Sequence, residues 1–373
     1  MDSISYSLIV IIFSGVIENC LQKLFKKLSY RDREVLEGIG MKVAIVGNGN
    51  ICNLAHIYAW KSMRDVEIAA TCDIIKERAE KVCKIANAKN YYTDMDELLS
   101  NDDIDVIDLC VPTYEHARLS IDALEAGKHV ICEKPMARRL KEAKKMLKAA
   151  EKSGKDLYIA HPRRFDRRWR EIKKNISSGR IGLPKYIRRC ERSWLPFPSN
   201  SWYWDSEKSG GVLLDVGVHC VDLVKWIFES EVKEVFAKGK MIRREAKENN
   251  TYDLVTVFLK LEEETAFIDV SWAFPQAYAP FYSSLDIIGT DGRMEYSDKN
   301  TNPMIVVKDK IELPRYSPLL STDLNAFRDE MKEFVHCIEK GEEPIVSKEE
   351  AYNILNITLA AEESIERGKV IRC

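Results

Sequence analysis

The sequence contains no pair of cysteines at the C-x-x-C spacing, although it has ten cysteines in all. Several of them fall in apolar segments, where a thiol packs as a small hydrophobic group. The pattern therefore predicts a reducing, cytoplasmic location. It argues against a disulfide framework and a structural zinc site, and no metal is expected. The cysteines are Cys20, Cys52, Cys72, Cys83, Cys110, Cys132, Cys190, Cys220, Cys337 and Cys373.

Neither sign of charge is in excess, since 57 Lys and Arg stand against 59 Asp and Glu, for a formal net charge of -2. With no overall field to attract a polyanion or an anionic membrane, we expect no nucleic-acid partner. The local cluster of Arg163, Arg164, Arg167 and Arg168 is interpreted as a solvated or anion-binding face.

The first forty residues lack an apolar run long enough to cross a bilayer, because residues 8–17 fall well short of roughly 20. A secretory signal would have Lys or Arg before its apolar run, and here neither precedes it. Residues 21–28 have the spacing of an amphipathic helix. Because Met41 begins the first strand abruptly, residues 1–40 are either an upstream extension of the reading frame or a packing arm or peripheral anchor. A membrane partner is not expected.

The chain is longer than a single core usually grows, so we expect two domains. In residues 41–161 apolar strands alternate with helix-length segments, which predicts a parallel, doubly wound sheet and a Rossmann dinucleotide-binding domain. In residues 162–373 strands follow one another across short turns, which predicts an α/β domain with a large, mostly antiparallel open sheet. The predicted helices are 50–61, 75–86, 115–126, 140–153, 323–339 and 348–367. The last of them could pack back on the first domain. The predicted strands are 42–46, 66–72, 90–92, 105–111, 129–133, 156–160, 185–194, 234–241, 253–261, 265–272, 284–288 and 304–308.

A glycine turn follows the first predicted strand, as Gly47-x-Gly49-Asn50-Ile51. Such a turn before a helix can hold a pyrophosphate, because glycines let backbone N–H groups approach it and the helix dipole favours anions. Cys52 occupies the third small-residue position, which bears on cofactor affinity more than on fold. The motif is weak by itself, and its strand–helix context strengthens it.

Asp73 follows the second strand, near the spacing at which a carboxylate binds the adenosine ribose and repels a 2′-phosphate. This interpretation favours NAD over NADP. An Asp is equally suited to capping the helix that follows. Lys76 and Arg78 keep NADP open as an alternative.

Charged and polar residues also follow the fourth and fifth strands. Because ligands bind at the carboxyl ends of parallel strands, Glu133 and Lys134 are candidates for the place where cofactor and substrate meet. Their alternative interpretation is a solvated turn ended by Pro135. Pro112, Thr113 and His116 follow the fourth strand, and are assigned either to the cofactor cleft or to strand termination, helix capping and the surface.

The stretch from Gly210 to Asp222 is the most informative one. If it is helical, Asp215, His219 and Asp222 share one face of an otherwise apolar helix, where polar groups must find partners. One interpretation is a buried Asp–His pair that satisfies itself. The sharper hypothesis makes His219 a general acid/base near neutral pH, with Asp215 positioning the substrate or relaying the proton.

These motifs together resemble the glucose–fructose oxidoreductase/inositol dehydrogenase/MocA family, in order from Met41 to near the carboxyl terminus. The resemblance rests on Gly47-x-Gly49-Asn50-Ile51, Pro112-Thr113-x-x-His116, Gly127-Lys128-His129-Val130 before Glu133-Lys134-Pro135, Arg164-Phe165, Gly210-Gly211 with Asp215-x-Gly217-x-His219, and Gly289-Thr290-x-Gly292.

The resemblance implies NAD(P)-dependent oxidation or reduction at a carbinol carbon of a sugar, cyclitol or related small molecule. Lys134, Asp215 and His219 would be the catalytic group, with Lys134 hydrogen-bonding the reacting oxygen and His219 exchanging its proton. Arg164 is carried over as a cofactor-binding position. The second domain would mediate a homo-oligomer through its sheet. An alternative is a sensing or regulatory protein of the same fold, without turnover.

Aromatic residues lie where this family varies. The faces of Trp202 and Tyr203 could stack on a sugar, although aromatic residues are often simply part of a core. Tyr282 is a weaker candidate for the same role.

Overall fold

The computed structural model describes residues 40–274, 281–298, 300–307, 310–312 and 324–373. The predictions for residues 1–39 lie outside these described residues. Met41–Cys373 forms one compact unit. None of the described helices is long and apolar enough to cross a membrane. The nine described cysteines are all free thiols.

The first sheet has six parallel strands in the order β3-β2-β1-β4-β5-β6. The order reverses between β1 and β4, and such a switch point opens a crevice at the carboxyl ends of the strands. This confirms the predicted doubly wound fold. The strands are β1 (Met41–Val46), β2 (Val66–Cys72), β3 (Asn90–Tyr92), β4 (Val106–Leu109), β5 (His129–Cys132) and β6 (Leu157–Ile159).

The second sheet has nine strands in the order β14-β13-β12-β11-β7-β10-β9-β8-β15. All of its pairs are antiparallel except β7 with β10, which confirms the predicted mostly antiparallel sheet. The strands are β7 (Pro184–Ser193), β8 (Glu234–Lys240), β9 (Leu254–Lys260), β10 (Thr265–Ser271), β11 (Phe281–Gly289), β12 (Gly292–Ser297), β13 (Asn300–Val307), β14 (Lys310–Glu312) and β15 (Ile371–Arg372). The short strands β12, β14 and β15 were not predicted.

The helices are largely those that periodicity predicts, with four exceptions that were not predicted, α3, α6, α7 and α9. Two π turns, Cys52–His56 and Leu213–Gly217, interrupt the helices that carry candidate site residues. The α-helices are α1 (Ile57–Lys61), α2 (Lys76–Ala86), α3 (Met95–Leu99), α4 (His116–Glu125), α5 (Leu140–Ser153), α6 (Arg167–Ser177), α7 (Ser206–Ser209), α8 (Val218–Phe228), α9 (Arg244–Glu248), α10 (Leu324–Lys340) and α11 (Lys348–Arg367).

The last two helices tie the two sheets together. Helix α10 buries Phe327, Met331 and Phe334 at helical spacing, in the same apolar cluster as Ile45 and Trp60 of the first sheet and its helix. The Phe334 ring stacks on Tyr158 of β6 at 4.8 Å between centroids. Helix α11 contacts β8, α8 and α5. The sequence suggested that α11 could pack against the first domain, but no such packing was predicted for α10.

The second sheet has two unlike faces, because side chains alternate along each strand. Helices α8 and α11 pack against one face. The opposite face carries Phe258 and Phe267, whose rings meet edge to face at 5.9 Å, and Phe267 remains 38% exposed. We call this second face the open face of the sheet.

Candidate active site

The glycine turn after β1 has two glycines with different requirements. Gly47 has φ +87°, and a Cβ on it would lie 2.5 Å from the carbonyl oxygen of Cys110, so the chain itself demands glycine there. A Cβ on Gly49 would meet nothing within 4 Å. The protein therefore leaves open space beside Gly49, where the helix begins with Asn50 and Ile51. A phosphate group of a ligand could come close there.

Asp73 is held at the end of β2 and turned towards this glycine turn. Its Oδ2 accepts a hydrogen bond from the backbone N–H of Asn48 at 2.7 Å, and its Oδ1 accepts one from Ile75 at 2.8 Å. Helix α2 has Ile75 as its N-cap and receives no side-chain cap there. The capping alternative is therefore wrong, since the carboxylate braces the turn before the helix.

His116 is buried and ties the end of β4 to the end of β5. Its Nδ1 lies 2.7 Å from the Pro135 carbonyl oxygen and its Nε2 lies 3.0 Å from that of Val111. Burial lowers the pKa of this imidazole. The surface alternative for His116 is therefore wrong. Pro112 precedes a 3-10 turn at Thr113–Glu115, and the Thr113 side chain makes no cap.

Lys134 and Asp215 meet across the cleft between the two sheets. The Lys134 ammonium donates to Oδ1 of Asp215 at 2.9 Å and to the Asp215 carbonyl oxygen at 2.8 Å. Oδ2 of Asp215 accepts from the indole N–H of Trp272 at 3.1 Å. Among the described residues these bonds use two of the three ammonium protons, so the third is available to a group in the pocket. Sequence reasoning missed Trp272, a buried residue just after β10 with no polar motif around it.

His219 is the second residue of α8 and lines the same pocket as Lys134. Its Nδ1 is buried and has no hydrogen-bond partner among the described residues. Burial, together with the positive charges of Lys134 and Arg163, holds the pKa of this imidazole well below its usual value. The unperturbed pKa expected from the sequence is therefore wrong, and the His219 imidazole is neutral at pH 7.

Asp222 does not join Asp215 and His219 as the helical spacing predicted. The π turn at Leu213–Gly217 is wider than an α turn and changes the angular position of the residues that follow. Asp222 is fully buried and pairs instead with the Arg164 guanidinium at 2.7 Å.

Arg164 is likewise not brought to the cleft. Its guanidinium pairs with Asp222 and with Glu350 of α11, and it is only 2% exposed. These carboxylates keep its pKa above the usual value despite burial. Its neighbour Arg163 is the one that lines the pocket, where it pairs with Glu191 of β7. Arg163, Arg164 and Arg168 are therefore paired with carboxylates and only Arg167 of the four is exposed, so the cluster as a whole is not a solvated face.

A cavity of about 170 Å³ joins these groups between the glycine turn, the end of β5 and α8. It brings cofactor candidates and catalytic candidates to one place. Its lining residues are Ile51, Glu133, Lys134, Pro162, Arg163, Asp166, His219, Ala326 and Phe327.

The aromatic candidates differ in their placement. Tyr203 lies in a stack between Phe197, at 4.5 Å, and Trp202, at 4.1 Å, and meets Trp272 edge to face. The stack therefore adjoins the residue that holds Asp215. Tyr282 alternates with the buried Ser283 and Leu285 on β11, so it lies on the open face of the sheet. The structure does not bring it to the cavity.

Comparison with known proteins agrees with the geometry. Residues 41–161 match the family model described as "Oxidoreductase family, NAD-binding Rossmann fold", and residues 169–295 match the GFO/IDH/MocA C-terminal domain. The chain is 28% identical to a myo-inositol 2-dehydrogenase of Thermotoga maritima, over 89% of this chain and 98% of the relative. It is 24% identical to an NAD(+)-dependent scyllo-inositol 2-dehydrogenase of Bacillus subtilis, over 89% and 96%.

A solved structure of a probable dehydrogenase from Thermotoga maritima has the same fold. It superposes with a TM-score of 0.76 at 26% identity, covering 89% of this chain and 98% of that one. Both domain models match in the predicted order, and the relatives are named as dehydrogenases. The chain therefore belongs to the GFO/IDH/MocA family of NAD-dependent oxidoreductases, which confirms the resemblance in its motifs.

Proposed function

We propose that the protein transfers a hydride between NAD and a carbinol carbon of a sugar, cyclitol or sugar derivative, with Lys134 and His219 handling the hydroxyl proton. One observation carries the proposal. Within the described part of the chain, the Lys134 ammonium keeps one donor free after binding Asp215, and His219 lines the same cavity. A hydroxyl placed there meets a fixed positive donor and a neutral imidazole together.

The two residues divide the proton chemistry. Lys134 donates a hydrogen bond to the reacting oxygen and stabilises the negative charge that develops as its proton leaves. His219 accepts that proton, because its lowered pKa keeps the imidazole neutral at pH 7. Asp215 orients Lys134 and is itself held by Trp272. NAD supplies the hydride acceptor when it is bound.

The residues around the glycine turn fit a dinucleotide. The open space at Gly49 suits a pyrophosphate on the N–H groups of Asn50 and Ile51. Asp73 would bind the adenosine ribose and favour NAD, and NADP stays an alternative. The remaining cofactor positions in the proposal are Gly47, Pro112, Thr113, His116 and Glu133. Arg164 is left out of it because its guanidinium is already paired on both sides.

The substrate class is supported by the relatives, which are named for inositols, and by the polar side chains among those that line the cavity, namely Glu133, Lys134, Arg163, Asp166 and His219. Trp202 and Tyr203 would contact the substrate from the side of Trp272. Tyr282 is not proposed again, since it lies on the open face of the sheet.

We further propose that the protein is a homo-oligomer in the cytoplasm, with a second copy on the open face of the sheet. This face carries apolar rings such as Phe267 beside paired charges such as Arg192 with Asp269. A surface with rings and both signs of charge can pair with its own copy about a two-fold axis. The nine free cysteines support a reducing compartment.

The test is turnover by the full chain. NAD or NADP is added against a panel of inositols, aldoses and sugar derivatives, and the absorbance of the reduced nicotinamide is recorded. We expect turnover with at least one compound, lowered by roughly 10² to 10⁴ in kcat in Lys134→Met. Lys84→Met is the matched control, because Lys84 is an exposed helix lysine that pairs with Glu80. Equal turnover in both variants would contradict the proposal.

A further inference from the structure

Three side chains form a buried hydrogen-bonded row from the interior of the first sheet to the cavity. Nδ1 of His56 lies 2.9 Å and 3.1 Å from the two carboxylate oxygens of Asp108. Nε2 of His56 lies 2.9 Å from Oε1 of Glu133. His56 belongs to the π turn after the glycine turn, Asp108 to β4, and Glu133 follows β5. The row thus joins the helix at the proposed pyrophosphate site to the catalytic end of the cleft.

The imidazole of His56 must carry both protons in this arrangement, because each ring nitrogen faces a carboxylate oxygen and carboxylates only accept. Burial lowers the pKa of His56, but the adjacent Asp108 carboxylate outweighs it and the pKa rises well above its usual value. Burial raises the pKa of Glu133, but the hydrogen bond from His56 outweighs it and the pKa falls.

The other neighbours keep this charge pattern in place. The Trp60 indole donates to Oδ2 of Asp108 at 2.7 Å, and the backbone N–H of Lys134 donates to Oε2 of Glu133 at 3.2 Å. Glu330 of α10 is fully buried nearby, and burial together with the charge of Glu133 raises its pKa well above the usual value, so it stays neutral. Burial also raises the pKa of the Cys110 thiol beside Asp108.

The row therefore carries one positive and two negative charges and has a net charge of about -1. Glu133 is its only member on the cavity wall, beside Ile51 and Lys134. An oxidised nicotinamide ring is positive and a reduced ring is neutral. A fixed negative charge at the cavity wall, shielded from water, attracts the oxidised ring more strongly than the reduced one.

We propose that His56 is a positioning residue that keeps Glu133 ionised and aimed into the cavity, so that the protein binds oxidised NAD in preference to its reduced form. The inference rests on the proposed function, because it assumes that the nicotinamide lies in this cavity. Asp108 anchors the far side of His56, and its role is therefore indirect.

The test is the ratio of the Kd values for NADH and NAD⁺, measured on the full chain by calorimetry without substrate. Glu133→Gln keeps the size and removes the charge, and we expect it to lower the ratio about tenfold. In His56→Gln the Glu133 carboxylate loses its cation and takes up a proton more readily. We expect the ratio to become dependent on pH between 6 and 8, falling towards the Glu133→Gln value at the lower pH.

The control is His129→Gln, because His129 lies at the other end of β5 and also pairs with a carboxylate, Asp156. Its ratio should equal that of the unchanged protein and stay constant with pH. An unchanged ratio in Glu133→Gln would overturn the proposal. So would an equal weakening of both cofactors in His56→Gln, which would mean a purely structural role.

If His56→Gln does not fold, Glu133→Gln and Asp108→Asn decide the matter, with a lowered ratio expected in both. Binding is read without turnover, so the proposed function and this inference fail separately. Absence of turnover with every compound of the substrate panel would count against the proposed function. An unchanged Kd ratio would count against the inference about His56 and Glu133.

Discussion

Lys134 and Asp215 are joined twice, through the carboxylate at 2.9 Å and the main-chain carbonyl at 2.8 Å. Lys134 lies just after β5 of the first sheet, whereas Asp215 lies in the π turn before α8, which packs against the second sheet. A doubly anchored ammonium has little freedom to leave the cavity. The relationship explains how a flexible lysine side chain can be held for one hydroxyl group.

Replacing Asp215 by Asn should lower kcat by roughly 10 to 10², because the amide keeps the shape but no longer holds the ammonium by charge. Steady-state kinetics with the turnover substrate measures this. Asp122→Asn is the control, since Asp122 pairs with Arg118 on the surface of α4. A fall in kcat of the same size in the control would argue against a positioning role.

The pH dependence of kcat/KM should follow His219. The pKa of this imidazole lies well below 6.5, so the neutral base is present above that pKa and is lost as the pH falls through it. The acid limb for alcohol oxidation should therefore lie below pH 6.5 and disappear in His219→Gln. A limb centred above pH 6.5 would contradict the assignment. Cofactor Kd should remain nearly unchanged in the variant.

Gly49→Ala and Gly47→Ala form a matched pair. Alanine at Gly49 meets open space, so the melting temperature should stay constant while NAD affinity falls about tenfold or more. Alanine at Gly47 meets the Cys110 backbone at positive φ and should cost about 2 to 4 kcal/mol of stability. Thermal unfolding and NAD titration separate the two. Unchanged NAD binding in Gly49→Ala would contradict the proposal that the pyrophosphate binds at this turn.

Asp73→Ser should raise kcat/KM with NADP relative to NAD by roughly tenfold to a hundredfold, because a carboxylate that repels the 2′-phosphate is gone. Asp73 also accepts from the Asn48 backbone, so activity with NAD should fall modestly. Asp73→Asn tests the charge alone. An unchanged NADP/NAD ratio in both variants would refute the ribose assignment.

Phe267→Glu should lower the mass of the protein in light scattering if the open face pairs with a second copy, because a carboxylate would be buried without a partner. Ile242→Glu serves as the control, since Ile242 is 50% exposed and follows β8 instead of lying in the middle of the sheet. An unchanged mass in Phe267→Glu would move the interface elsewhere.

Local pattern was enough for much of the fold. Strand β2 and helix α5 were predicted at their observed bounds, because alternation and helical spacing record burial directly. Strand β12 was missed, since its six residues mix Met294 and Tyr296 with charged neighbours and carry a weak signal. The packing of α10 against the first sheet could not be predicted either, because an apolar stripe on a helix does not show which surface it packs against.

The site divides in the same way. The motifs marked Lys134, Asp215 and His219, but the same kind of match also selected Arg164, which the structure pairs with Asp222 and Glu350. The prediction that Asp215, His219 and Asp222 share one face required regular α turns. The π turn at Leu213–Gly217 instead separates Asp222 from the other two.

By itself the sequence determined the family, the dinucleotide-binding fold and the position of the glycine turn, because these depend on neighbours along the chain. Only the tertiary structure decided that Trp272 holds Asp215 and that His56 links Asp108 to Glu133. It also decided that the pKa of the His219 imidazole lies well below its usual value. Those features depend on desolvation and on charges brought together from distant segments, and no local pattern of residues records them.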